Sequence, residues 1–216
     1  MDPAGLMGYE AQIAGVVDNQ KGNNSMNLVT KVLKRNAIPK IATIREELVA
    51  TFKELTGLEP AICNAGGTGS IESSIQESWV NEITIGSGFF QPALFDSYRN
   101  FLHKPAAFFA LEVVRNPKKG IYTLNGGGYI ASGDTNKNKL PQPFLPKGMS
   151  LIKREGAGEV QTPVRYNGIL DLGTPVFFRH AKAGELCERF NTIYLIRGDK
   201  ISDEFKTYRG DGFSFL

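Results

Sequence analysis

A short apolar run that ends in three glycines constrains this chain more than any other stretch. Residues 61–70 read Ala-Ile-Cys-Asn-Ala-Gly-Gly-Thr-Gly-Ser, which predicts a β-strand followed directly by a glycine turn. Backbone N–H groups without Cβ atoms beside them can surround an anion, most often a phosphate, and the hydroxyls of Thr68 and Ser70 add donors. Ordinary tight turns also use glycine and serine, so this stretch alone is compatible with both interpretations.

A second strand end of the same kind follows shortly. Residues 82–88 read Glu-Ile-Thr-Ile-Gly-Ser-Gly, a β-branched run that leads into Gly86, Ser87 and Gly88. Two neighbouring strand ends of this type predict a phosphate cup, which barrels of alternating strands and helices usually form after their seventh and eighth strands.

Composition excludes several classes of protein. The 216 residues are 41% hydrophobic and 22% charged, as in ordinary globular proteins. A formal net charge of +3, with scattered lysines, argues against nucleic-acid binding. No apolar run approaches the roughly 20 residues that span a bilayer, so no membrane contact is expected. The two cysteines, Cys63 and Cys187, are far apart and predict no disulfide framework, which favours a reducing cytoplasm.

The first half of the chain alternates predicted strands and helices. Apolar residues at helical spacing predict a helix over residues 26–35 that Pro39 interrupts. A second helix is expected to begin at Thr43, capped with the help of Glu46, and to end at Gly57. We expect it to bury a stripe formed by Ile44, Leu48, Phe52 and Leu55.

Strands are predicted at residues 61–64 and 82–85, after an N-terminal strand end. Such alternation indicates parallel pairing, with ligands at the carboxyl ends of the strands.

The second half shows a different pattern. Short strands punctuated by glycine, proline and asparagine, without a helical pattern, predict a mostly antiparallel β domain. The strands are expected at residues 108–114, 121–124, 129–132, 149–153, 174–179, 192–196 and 200–202. The predicted class is therefore α/β plus β, with domains at residues 1–102 and 103–216.

Several motifs in order resemble the C-terminal part of a known family. They are Gly5, Leu6 and Tyr9 at a strand end, Gly66 to Gly69, Glu82 with Gly86 and Ser87, Asp96 with Tyr98, a turn at residues 125–127, His180, and Arg209 with Gly210. The chain resembles D-threonine aldolases and D-serine dehydratases, and most of all the amino acid deaminase/aldolase group. These are alanine racemase-like, fold-type III enzymes that use pyridoxal phosphate (PLP). The resemblance implies the last strands of a (β/α)8 barrel followed by a β domain.

The resemblance also implies a function and a set of site residues. Enzymes of this family are lyases that act on D-3-hydroxy amino acids, by aldol cleavage or by dehydration and deamination, with PLP delocalising electrons. Tyr9 would lie at the cofactor or the substrate. The residues that would hold the cofactor's phosphate are Gly66, Gly67, Thr68, Gly69, Gly86, Ser87 and Gly88.

In the β domain the family carries a His-x-Asp or His-x-Cys pair that binds a divalent metal. The matching triplet here is His180-Ala181-Lys182. An ammonium is a poor metal ligand, so a second ligand beside His180 is not evident, and Lys182 could instead supply a hydrogen bond and positive charge. Such a donor suits dehydration slightly better than aldol cleavage.

Family members carry the lysine that binds PLP covalently at the end of the first barrel strand, and this sequence has no lysine in such a position. The expected partners are therefore an N-terminal half of the barrel, a D-amino acid substrate and, once complete, a second subunit. Two alternatives stay open from the sequence: a non-catalytic module that binds a phosphorylated ligand, and an inactive fragment.

Overall fold

A computed structural model describes residues 3–133, 137–182 and 184–213. The chain divides into two compact units. The first comprises Met1–Phe89 and Phe95–Lys104, and the second comprises Phe90–Leu94 and Pro105–Leu216. Within the described ranges, no helix combines the length and the apolar character that crossing a membrane requires.

The first unit is built on a three-stranded parallel sheet with helices. Its elements are β1 (Gly5–Gly8), α1 (Ala11–Ala14), α2 (Asn24–Thr56), β2 (Ile62–Ala65), α3 (Ile71–Ser74) and β3 (Glu82–Ile83). Strand β2 lies in the middle, with Gly5 opposite Ile62 on one side and Asn64 opposite Glu82 on the other. The predicted parallel pairing is confirmed, and both glycine turns follow strands of this sheet.

The prediction of two helices separated at Pro39 is wrong. Helix α2 runs without a break from Asn24 to Thr56 and contains Pro39. A proline inside a helix removes one hydrogen bond, but α2 packs side chains on both sides of it, among them Lys34 and Phe52. Thr43 does not cap a helix, because its Oγ1 donates to the carbonyl of Pro39 at 3.1 Å. The predicted end is confirmed: Gly57 caps α2 in the left-handed conformation at φ 71°.

The buried face of α2 also differs from the predicted stripe. Phe52 is buried as predicted, but Arg45 and Val49 are buried beside it, whereas Ile44 and Leu48 are about half exposed and Leu55 is 79% exposed. The helix is therefore rotated by about one residue from the expected orientation. The buried ion pairs of Arg45, described below, require this rotation, and helical periodicity alone did not reveal them.

The second unit is mostly antiparallel β structure, as predicted, so the expected α/β plus β class is confirmed. Its elements are β4 (Phe109–Lys118), β5 (Ile121–Asn125), β6 (Gln142–Leu145), β7 (Ser150–Leu151), β8 (Gln161–Arg165), β9 (Pro175–Arg179), α4 (Gly184–Arg189), β10 (Thr192–Arg197) and β11 (Lys200–Lys206). Six strands form one sheet in the order β6-β9-β4-β5-β8-β7, and β10 pairs with β11. Alternate residues of β4 and β9, such as Phe109, Val113 and Phe178, are buried in its core.

Four expectations for this unit are corrected. Residues 129–132 form no strand, because they follow a turn in which Gly126 and Gly127 have positive φ angles. Strands β6 and β8 were not predicted, since each contains a proline that weakens the sequence pattern. The short helix α4 was missed as well, because six residues are too few to show helical periodicity.

Candidate functional site

The two glycine turns lie side by side in the first unit. Strands β2 and β3 are adjacent, with Ala65 opposite Ile83, so the residues that follow them meet at one edge of the sheet. The backbone N–H of Gly88 in the second turn donates to Oγ1 of Thr68 in the first, at 3.0 Å. The structure therefore brings together the two turns that the sequence predicted as neighbours.

A buried carboxylate holds the first turn from within the protein. Glu10 is 3% exposed, and the backbone N–H of Gly66 donates to both of its carboxylate oxygens, at 3.0 and 3.2 Å. The hydroxyls of Ser70 and Ser74 also donate to this carboxylate, each at 3.2 Å. Sequence reasoning gave Glu10 no such role, because these three partners lie 56 to 64 residues away along the chain.

The same carboxylate pairs with a buried arginine. Arg45 is 6% exposed and donates through its two terminal nitrogens to Glu10 and to Glu77. Burial disfavours its charged form, but the hydrogen bonds that it donates to both carboxylates and their negative charge outweigh this effect and raise the pKa of Arg45. The guanidinium thus stays charged and links the segment after β1, α2 and the segment before β3 around the turn.

The glycines of the first turn allow close packing by the protein itself. A Cβ atom at Gly67 would lie 2.7 Å from the ring of Tyr9, which is therefore in contact with this turn. A Cβ at Gly69 would meet Tyr98 at 2.5 Å and the carbonyl oxygen of Ala14 even more closely. The hydroxyl of Tyr98 donates to that same carbonyl at 2.6 Å, and burial raises the pKa of Tyr98 to about 12.

We expect Gly69→Ala to destabilise the first unit by about 1–3 kcal/mol, since a new methyl group would press on backbone atoms that cannot move aside. The matched control is Gly86→Ala in the second turn, where no atom lies within 4 Å of a built Cβ. Fluorescence of Trp79, the single tryptophan of the chain, during denaturant titration measures both. Equal losses in the two variants would contradict the packing role of Gly69.

The hydrogen-bond donors of these two turns are of the kind that binds a phosphate group. Each leads into a short 3-10 helix, Thr68–Ser70 or Ser87–Phe89, whose first N–H groups are suited to an anion. The space beside Gly86 is open. PLP carries such a phosphate, and the candidate holders are Thr68, Gly69, Gly86 and Ser87, while the N–H groups of Gly66 and Gly88 are already bound by protein.

The other two predicted site residues belong to the second unit. His180 is completely buried, and its two ring nitrogens have no hydrogen-bond partner among the described residues. Burial and the charge of Arg179 lower the pKa of His180 to about 4, and the backbone of Ala107 offsets only part of this change. The imidazole is therefore neutral at pH 7.

Lys182 lies in a turn that a second buried carboxylate holds. The backbone N–H groups of Ala181 and Lys182 donate to Oε1 of Glu185, at 2.8 and 2.7 Å. Burial raises the pKa of Glu185, although these hydrogen bonds act in the opposite direction. Within residues 3–133, 137–182 and 184–213, no three His, Cys, Asp or Glu side chains lie together in a way that could hold a metal ion.

Comparison with solved structures identifies the fold of this chain. No protein-family model matches the sequence, and no curated protein matches it. A D-threonine aldolase from Filomicrobium marinum matches 97% of this chain and 54% of its own, with a TM-score of 0.73 at 18% identity. The chain has the fold of the C-terminal part of a fold-type III enzyme.

Two further solved structures share this fold-type III architecture. A mutant D-threo-3-hydroxyaspartate dehydratase in the metal-free form has a TM-score of 0.59 at 16% identity, over 80% of this chain and 51% of that one. An Ala racemase-like protein from Idiomarina loihiensis has a TM-score of 0.57 at 12% identity, over 88% of this chain and 52% of that one. The chain thus spans about half the length of the structures that it matches.

Proposed function

We propose that this chain is the C-terminal part of a PLP-dependent lyase acting on D-3-hydroxy amino acids. The observation that carries the proposal is the pair of glycine turns at the carboxyl ends of β2 and β3, joined by the hydrogen bond from Gly88 to Thr68. The fold similarity to a D-threonine aldolase and a D-threo-3-hydroxyaspartate dehydratase supports this choice.

In this proposal the residues of the two turns bind the cofactor's phosphate. The N–H groups of Thr68, Gly69, Gly86 and Ser87 would donate to it, with Gly66, Gly67 and Gly88 giving the turns their shape. Tyr9, which is 59% exposed and packs on Gly67, would lie beside the cofactor or substrate. Bound PLP would supply the electron sink for breaking a bond at the substrate carbon.

Within the second unit, His180 and Lys182 would act near the substrate hydroxyl. Lys182 would donate a proton or a hydrogen bond to a departing hydroxide, which favours dehydration over aldol cleavage. A divalent metal would need His180 and further ligands from outside the described residues, because the described part of this chain brings no cluster of three to it.

Two features of the first unit also support the proposal that it is part of a larger barrel. Neither β1 to β3 nor the two glycine turns contain a lysine, so the covalent link to PLP would come from an N-terminal barrel half. Apolar side chains of α2 are open to solvent, with Leu33 61% and Leu55 79% exposed. Such surfaces favour coverage by further protein, in this proposal by that half and by a second subunit of the assembled enzyme.

Titration with PLP tests the phosphate-binding part. The chain alone should bind PLP reversibly, inorganic phosphate should compete, and borohydride should leave no stoichiometric adduct at a single lysine. Thr68→Val should weaken binding about tenfold, since the hydrogen bond between the turns is lost. Thr51→Val, at an exposed threonine of α2, is the matched control.

The outcomes separate the candidates. A stoichiometric borohydride adduct at a single lysine of this chain, or equal affinity for pyridoxal without its phosphate, would contradict the proposal. Co-expression with an N-terminal barrel half should restore an adduct on that half and turnover of a D-3-hydroxy amino acid. PLP binding without any turnover in the assembled protein would favour the non-catalytic binding module instead.

A further inference from the structure

A cavity of about 430 Å³ lies in the first unit, away from most of the predicted site. Its walls come from the N-terminal half of α2, the start of α3 and residues 98–101. Of the ten residues assigned to catalysis or cofactor binding, only Gly69 lines it. Its volume is in the range of small-molecule sites.

Cationic side chains dominate the polar part of this cavity. Lys31, Lys34, Arg35 and Arg99 line it, against two carboxylates, Asp18 and Glu72. Lys31 and Arg35 are four residues apart on α2, so both project from the same face of the helix. The lining therefore carries a charge excess of +2, from four cations minus two anions, although the net charge of the whole 216-residue chain is only +3.

One of the two carboxylates is already neutralised. Oδ2 of Asp18 accepts from Nζ of Lys34 at 3.2 Å, and its Oδ1 accepts from the backbone N–H of Arg99 at 2.8 Å. Asp18 thereby holds Lys34 and the residue 99 segment in place. It repels an incoming anion less than an unpaired carboxylate would.

Lys34 is the deepest of the four cations. It is 8% exposed and lies over the ring of Tyr98, with Nζ 4.9 Å from the ring centroid. An ammonium has three N–H donors, and Asp18 takes one of them. The ammonium of Lys34 can therefore donate a hydrogen bond to a further acceptor inside the cavity.

Apart from Ser70, Ser73 and Asn100, the other side chains of the wall are mainly apolar. Ile13, Ile38 and Phe101 line the cavity, and Phe101 is 2% exposed. A ligand that fills this space therefore needs an apolar or aromatic body beside its anionic group. An inorganic ion would leave these apolar side chains without a ligand contact.

We propose that this cavity binds a small organic phosphate with an aromatic or apolar body. Its phosphate would lie among Lys31, Lys34, Arg35 and Arg99, and its body against Ile38 and Phe101. The inference stands on the cavity alone and is independent of the function proposed for the glycine turns. It adds a second anion site to the first unit.

Calorimetric titration of the full chain with phenyl phosphate tests this site. We expect saturable binding that weakens as salt rises, because exposed cations contribute to it. Phenol, which lacks the phosphate, and inorganic phosphate, which lacks the ring, should bind more weakly. The double variant Lys31→Gln/Arg35→Gln should lose about tenfold or more in affinity, since two charge-assisted contacts disappear.

Two controls keep the result specific. Lys40→Gln removes an exposed cation of α2 that does not line the cavity and should leave the affinity unchanged. In a Thr68→Val background, which alters the glycine turns, Lys31→Gln/Arg35→Gln should still cause the same loss of affinity. The proposal is overturned if phenyl phosphate does not bind, if Lys40→Gln weakens binding as much as the double variant, or if the double variant causes no loss of affinity in the Thr68→Val background.

Discussion

Replacing Arg45 with methionine should destabilise the first unit by about 3–5 kcal/mol, because two buried carboxylates would lose their charge partner. Glu10 and Glu77 both accept hydrogen bonds from Arg45, and their side chains are 2% and 11% exposed. Denaturant titration followed by Trp79 fluorescence measures the free energy of unfolding. The same variant should also disturb the first glycine turn, since Glu10 binds the N–H of Gly66.

The chain offers a matched control on the same helix. Lys53 pairs with Glu59, but both side chains are more than half exposed, so Lys53→Met should cost at most about 1 kcal/mol. Adding Glu10→Gln to Arg45→Met should recover part of the loss, because the variant then buries one unpaired charge less. If Arg45→Met costs no more than Lys53→Met, the buried network does not stabilise this unit.

Lowering the pH should destabilise the second unit through His180. The pKa of this histidine is about 4 in the folded chain, against an ordinary 6.5. Between these values the unfolded chain binds a proton that the folded chain excludes, so stability falls as the pH falls from about 6.5 to about 4. The free energy of unfolding is highest above pH 6.5, and the loss reaches about 3 kcal/mol below pH 4.

Hydrogen exchange of the β9 amides over this pH range measures the effect, with exchange rates corrected for their own pH dependence. His180→Leu should flatten the dependence of stability on pH, because the titrating group is removed. The other histidine of the chain, His103, is exposed, and His103→Gln should keep the slope. Parallel curves for the wild type and His180→Leu would show that protonation of His180 does not control the stability of this unit.

Local sequence patterns predicted the elements whose causes are local. Gly57 ends α2 because a glycine accepts the left-handed conformation that the helix end adopts. The strand before the first glycine turn was predicted from a short apolar run and the strand before the second from β-branched residues. Their parallel pairing followed from the alternation of strands and helices. The mostly antiparallel second unit followed from repeated strand and turn signals.

The errors arose where contacts distant in sequence outweigh local preference. Pro39 lies within α2 because packing along the whole helix offsets one missing hydrogen bond. Strands β6 and β8 contain prolines that local rules disfavour, yet the neighbouring strands β9 and β5 provide their pairing. Residues 129–132 have a strand-like composition, but Tyr129 instead packs its ring on Phe109 and Phe190.

The sequence by itself determined the fold class and the two glycine turns, because a turn without Cβ atoms needs glycine at fixed positions whatever surrounds it. Only the tertiary structure decided what holds those turns. Glu10, Arg45 and Glu77 come from three separate segments and meet because their charges can be buried only together. The burial of His180 and the cationic cavity behind α2 likewise depend on which faces pack against each other, and no short stretch of residues contains that information.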